Sequence, residues 1–132
     1  MPGVLTHVVV STVGLILLWS LFNWKYGLSF FIGHLIPDLI KFGIPAIQDD
    51  SLNFALLIQD PVFWKLNSFT HSFLFWILLS AFVLILTLVL NDFGMIKKER
   101  RNTWVWVNFG FIVGAVVHLI LDLLIIEKSF WV

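Results

Sequence analysis

The sequence predicts an all-α integral membrane protein: a four-helix bundle running up-down-up-down, with a short or kinked second helix and a long outer loop. Three observations predict it. Hydrophobic residues make up 60% of the chain and charged residues 12%, against about 45–50% and about 25% in a soluble domain. Mean hydropathy is +0.99. Three stretches, Val4–Phe22, Ser72–Leu90 and Thr103–Ile126, reach the roughly 20 mostly apolar residues a helix needs to cross a bilayer. The 132 residues fit a single domain, 1–132.

The elements follow in order. The first apolar run predicts a helix over 4–22. Its leading "MPGVLTH" lacks a basic n-region and no small-x-small cleavage site follows, so the run is expected to stay as a transmembrane helix rather than leave as a signal peptide. After "NWKYG" (23–27) comes "LSFFIGHLI", then Pro37 and Asp38. Proline removes a helical hydrogen bond and kinks or ends the helix. The second helix is therefore expected over 26–40, with a kinked continuation toward Ile47 left open. Residues 49–70 read as a long connection. Its part "LNFALLIQDPVFWKL" mixes apolar and charged residues and is expected to lie along the membrane interface. The third helix is expected over 72–92 and the fourth over 103–126.

Orientation follows from the basic residues. "KKERR" at 97–101 holds four of the eight Lys and Arg residues. Short loops rich in Lys and Arg stay in the cytoplasm, which puts loop 94–102 inside and both termini outside. Trp24, Trp104 and Trp106 fit an aromatic belt on the inner side, Trp64 and Trp131 one on the outer side. The expected setting is a prokaryotic cell membrane, with membrane lipids as the surrounding partners.

Composition also excludes. A net charge of zero argues against nucleic acid as a partner. The absence of cysteine removes disulfides, thiolate nucleophiles and thiolate metal sites. A transporter needs polar groups through the whole membrane thickness. The inner half offers only Ser20, Thr87, Asn91 and Asn108, too thin a path.

Two near-identical pentapeptides carry the chemistry: "HLIPD" at 34–38 and "HLILD" at 118–122. In the predicted topology His7, Asp38, His71, His118 and Asp122 all come to the outer end of the bundle. Gly110, Gly114, His118 and Asp122 recur every four residues and share one drifting helix face. Small residues on that face let helices approach closely. His7, Ser11 and Gly14 make a similar stripe on the first helix. Ionisable groups at membrane depth are costly and point to function. Imidazoles and carboxylates together are ligands of zinc, manganese or iron, and a dication neutralises carboxylates gathered where water is scarce.

Each residue also has a plainer role. His118 and Asp122 could form an internal hydrogen bond between helices. His71 could be a helix-start residue, with Thr70 or Ser72 as the cap. Asp38 could be a turn aspartate after proline, and His7 a wetted histidine near a chain end. His34, one helical turn from Asp38, could hydrogen-bond it from behind. Asp49, Asp50 and Asp60 read as solvated loop charges, and Glu127 and Lys128 as a helix end meeting water.

The motifs "THVVVSTVG" (6–14), "GHLIPDLI" (33–40), "FTHSFLF" (69–75) and "GAVVHLILD" (114–122) resemble the YdjM-like family of membrane-bound, metal-dependent hydrolases. That family's pattern is an N-terminal histidine, then G-x-x-x-P-D-x-D, H-R-x-x-T-H-S and G-x-x-x-H-x-x-x-D-x-x-T-P. Order and spacing agree over most of the chain. A weaker similarity exists to zinc-dependent phospholipase C. The resemblance implies metal roles for His7, Asp38, His71, His118 and Asp122, with His34 a candidate behind them. The chain departs from the pattern at Ile40, at Leu66 and Asn67, and at Ile125 and Ile126. Family polar groups are thus missing and His34 is extra. One metal, a ligand set that includes His34, and lost activity all stay open.

The expected function is a membrane-embedded hydrolase in which metal-activated water attacks an amphiphilic, lipid-like ester or phosphoester near the outer interface. A divalent metal, zinc before manganese, would be held by His71, His118 and Asp122, with Asp38 and His7 completing its surroundings. Asp38 would serve as the general base. A structural or partner-binding membrane protein is the alternative.

Overall fold

A computed structural model describes residues 4–50 and 53–124. The described chain is all helical. The order is α1 (Val4–Leu21), α2 (Trp24–Gln48), α3 (Phe54–Leu57), α4 (Pro61–Thr70), α5 (Phe73–Asp92) and α6 (Lys98–Leu124). Helices α2, α5 and α6 are long and apolar enough to cross a membrane; α1 is apolar but shorter. Large apolar side chains line the outside, among them Leu74, Ile77, Leu78, Phe82 and Ile85 on α5. In water such a surface would invite association. It is compatible with an integral membrane protein.

Local chemistry sets the helix ends. The Asn23 side chain caps α2 by accepting from the Lys25 amide. Asp60 caps α4 in the same way, with Pro61 in the first turn, where a missing N–H costs nothing. Ser72 caps α5, and His71 closes α4 immediately before it. Between α5 and α6 the Asn91 amide donates to the Ile96 carbonyl at 2.7 Å, and Gly94 takes φ +74°, a turn conformation suited to glycine.

Three expectations change. The second helix is neither short nor ended by proline. It runs 25 residues with Pro37 and Pro45 inside it. Both prolines are fully buried, and membrane helices tolerate proline where neighbouring helices satisfy the freed backbone groups. The long outer loop over 49–70 is largely helix, as α3 and α4. The last helix starts at Lys98 rather than Thr103, because Lys, Glu and Arg are good helix formers. The predicted end at 125–126, the Glu127–Lys128 helix end and Trp131 lie outside the described residues.

Helices α2 and α6 form the central pair; α1 lies on α2 and α5 on α6, while α4 folds back onto α2. The four long helices thus follow one another side by side rather than closing into a ring of equal contacts. Backbone meets backbone in the central pair. A methyl group at Gly33 would overlap the Phe111 carbonyl; one at Gly114 would overlap the Phe30 carbonyl and sit 2.8 Å from the His34 amide nitrogen. Beside this seam lies a small apolar core of Trp76, Ala115 and Leu119, flanked by Ile36, Ile40 and Phe111. The Trp76 indole donates to the Thr70 carbonyl at 2.6 Å. That bond ties the end of α4 to α5 and fixes the backbone that carries His71.

Candidate metal centre

The same end of the helix array gathers six histidine and aspartate side chains. His7 comes from α1, His34 and Asp38 from α2, His71 from the α4–α5 junction, and His118 and Asp122 from α6. His7, His34 and His118 are at most 2% exposed. The Asp122 side chain is 9% exposed, His71 14% and Asp38 18%, so the cluster opens on the Asp38–His71 side.

Asp122 is the hub. Its Oδ2 lies 2.8 Å from His71 Nε2 and 3.4 Å from His118 Nε2. Its Oδ1 lies 3.1 Å from His7 Nε2. Asp38 Oδ1 stands 3.6 Å from His118 Nε2 and 4.0 Å from His71 Nε2. The two Nε2 atoms of His71 and His118 are 3.4 Å apart. Two nitrogens bound to one tetrahedral zinc at about 2.0–2.1 Å stand roughly 3.3–3.4 Å apart. Asp38, His71 and His118 form one group able to hold an ion; His7, His34 and His118 form another.

Tautomers follow from the partners. His71 Nδ1 lies 3.1 Å from the Asn67 carbonyl, which can only accept, so Nδ1 carries the proton. Neutral His71 then turns the Nε2 lone pair toward Asp122 Oδ2. That oxygen is buried and accepts no hydrogen bond of good geometry. Two lone pairs 2.8 Å apart repel unless a cation sits with them, and the Lys41 ammonium, 3.2 Å from His71 Nε2, is one cation already beside them. The arrangement also matches the usual second partner of a metal-bound histidine, a backbone carbonyl on its other nitrogen. The donor set of two imidazoles and two carboxylates therefore fits a divalent ion.

His7 and His34 are arranged differently. Asp122 Oδ1 accepts from His7 Nε2–H, which leaves His7 Nδ1 to accept from His34 Nε2–H at 3.1 Å. His34 thus reaches Asp122 through His7, as a buried chain that holds the carboxylate from behind. The expected result of His34→Ala is a tighter-to-weaker change in metal affinity of roughly 10–100-fold, the usual cost of losing an outer-shell partner. Zinc titration against a chelator of known affinity checks it, and His34→Gln, which keeps a donor, should recover part of the loss.

One residue of the site is not singled out by the sequence. Lys41 Nζ lies 2.6 Å from Asp38 Oδ1 and 3.2 Å from His71 Nε2, with its side chain 3% exposed. The available signal is the i, i+3 spacing from Asp38, which counts only if α2 continues past Pro37. Ile40, where the family pattern has its second aspartate, packs beside the Trp76 core and not into this cluster.

Fold and cluster together define an all-helical, membrane-compatible protein with a buried His/Asp group of metal-ligating composition. Comparison with protein-family models, curated proteins and solved structures finds no match.

Proposed function

We propose that the chain is a membrane-embedded, metal-dependent hydrolase of the YdjM-like kind, with zinc as its ion. The observation that carries this reading is the convergence of His71 Nε2 from the α4–α5 junction, His118 Nε2 and Asp122 Oδ2 from α6, and Asp38 Oδ1 from α2 around one partly open point. Zinc held there supplies a Lewis acid and makes water acidic enough to attack near neutral pH. His71, His118 and Asp122 are the ligands, and the Asn67 carbonyl fixes the His71 ring. His7 and His34 orient Asp122. Asp38, the most exposed carboxylate of the cluster, accepts the proton of the attacking water as general base. The substrate is an amphiphilic ester or phosphoester that approaches from the surrounding lipid. Loop 93–97 with its basic neighbours faces the cytoplasm and the site faces the outer leaflet, by the Lys and Arg distribution.

A second reading has one specific observation in its favour. The Lys41–Asp38 pair at 2.6 Å gives the cluster internal ion pairing without an ion, as a purely structural polar knot would have. Chelation separates the two. A metal site should gain about 2.7 kcal/mol of stability when the ion is present at 100 times its dissociation constant. Removing the ion from detergent-purified protein should therefore lower the unfolding midpoint, and returning zinc should restore it. Elemental analysis of wild type beside His118→Ala should show near-stoichiometric metal in the first and loss in the second. An unfolding midpoint indifferent to chelator, with no metal in either protein, would favour the structural knot.

A further inference from the structure

Behind Asp122, the buried side of the cluster holds a donor set of its own: His7 from α1, His34 from α2 and His118 from α6. Each places a ring nitrogen within 4.8 Å of a nitrogen of the other two, and His7 Nδ1 and His34 Nε2 are 3.1 Å apart. The His118 ring centroid lies 4.2 Å from that of His7 and 5.4 Å from that of His34. All three residues are at most 2% exposed. Their nitrogens are not all satisfied. His34 Nδ1 and His118 Nδ1 are buried without a hydrogen bond of good geometry. Since His34 donates to His7 through Nε2, its Nδ1 is a bare lone pair, and buried acceptors are seldom left so.

The donor chemistry narrows the ion. Three neutral imidazoles without a carboxylate suit zinc, copper, iron or nickel, not calcium or magnesium, which prefer oxygen. Zinc with three protein ligands keeps a water or substrate in its fourth position. Copper(I) is content with three ligands, which suits a triad closed to water. Charge points the same way. With neutral imidazoles, Asp38 and Asp122 bring two negative charges to the cluster and Lys41, 2.6 Å from Asp38, one positive. Asp122 presents the remaining negative charge to the triad, 3.1 Å from His7 Nε2. A monovalent ion balances it where charge is poorly screened, and a dication would overshoot.

We propose that His7, His34 and His118 form a second metal position, one that takes copper(I) and shares only His118 with the zinc group. An ion there replaces the hydrogen bond between His7 and His34 and requires no net loss of protons, because each neutral ring has one lone pair to give. The position goes beyond the hydrolase reading and does not depend on it, since His7 and His34 are not zinc ligands in that reading.

The test is titration of metal-stripped, detergent-solubilised protein with copper(I) under anaerobic reducing conditions, against bicinchoninate as a colorimetric competitor. Zinc is titrated in parallel. Wild type is expected to hold one copper(I) per chain. His34→Gln keeps a donor for His7 but has no imidazole. It should lose more copper(I) affinity than the roughly 10–100-fold that an outer-shell partner costs, and less zinc affinity than copper(I) affinity. His71→Gln should do the reverse, losing zinc and keeping copper(I), with circular dichroism to show that the helices are intact. Copper(I) that wild type cannot hold against bicinchoninate would overturn the proposal, as would equal copper(I) affinity in wild type and His34→Gln. Loss of copper(I) from folded His71→Gln would also overturn it, by placing the ion in the zinc group. The hydrolase reading fails on a different result, the absence of zinc binding in wild type.

Discussion

Asp122→Asn is expected to abolish metal binding and hydrolysis while the helices stay intact. The side chain keeps its shape, and its amide oxygen can still accept from His7 Nε2–H. The negative charge is lost from the atom that lies 2.8 Å from His71 Nε2 and 3.4 Å from His118 Nε2. The amide group is also free to turn its NH2 toward those two nitrogens and donate to the lone pairs a metal would use. Loss of an outer partner costs roughly 10–100-fold in metal affinity; loss of this charged inner ligand should cost at least about 100-fold, since attraction between a carboxylate and a dication is strong where water is excluded. Metal content by elemental analysis and helicity by circular dichroism check the two halves of the expectation. Near-stoichiometric zinc in Asp122→Asn would remove Asp122 from the ligand set. Full turnover in that variant would remove the proposed mechanism.

The helices and the cluster were legible in the sequence to different depths. Apolar run length alone marks α5 and α6, because the cost of exposing backbone in lipid makes a long apolar run helical. The twin pentapeptides mark Asp38, His118 and Asp122, because ionisable groups are rare in such runs. His34 is harder. Spacing along one helix suggests Asp38 as its partner, but its Nε2 meets His7, 27 residues away, and a contact between helices leaves no mark in local spacing. Lys41 is missed for a related reason. A helix expected over 26–40 leaves Lys41 just outside it, whereas a helix that continues to Gln48 brings Lys41 back over Asp38. Helix α4 carried a readable start signal in Asp60-Pro61, a cap followed by a first-turn proline, which the mixed polarity of the following residues obscured. The Ile40 departure from the family pattern becomes intelligible only with the fold, since that position faces the Trp76 core.

Gly114→Leu is expected to be strongly destabilising. Even one methyl group at Gly114 would overlap the Phe30 carbonyl and crowd the His34 amide nitrogen. Those atoms are backbone of α2 and cannot rotate away, so the central pair of helices must move apart. Overpacking of this kind costs about 1–3 kcal/mol and sometimes more, and close small-residue seams are a main source of helix association in lipid. The same displacement moves His34, and with it the His34–His7–Asp122 chain, so metal affinity should fall together with stability. Gly43→Ala is the matched control. A methyl group there meets nothing within 4 Å, and alanine in a helix interior is favoured over glycine by roughly 0.5–1 kcal/mol. Denaturant or thermal unfolding in detergent should therefore show Gly114→Leu well below wild type and Gly43→Ala at or slightly above it. Equal stability of the two variants would mean that α2 and α6 do not meet backbone to backbone, and the cluster geometry built on that seam would fall with it.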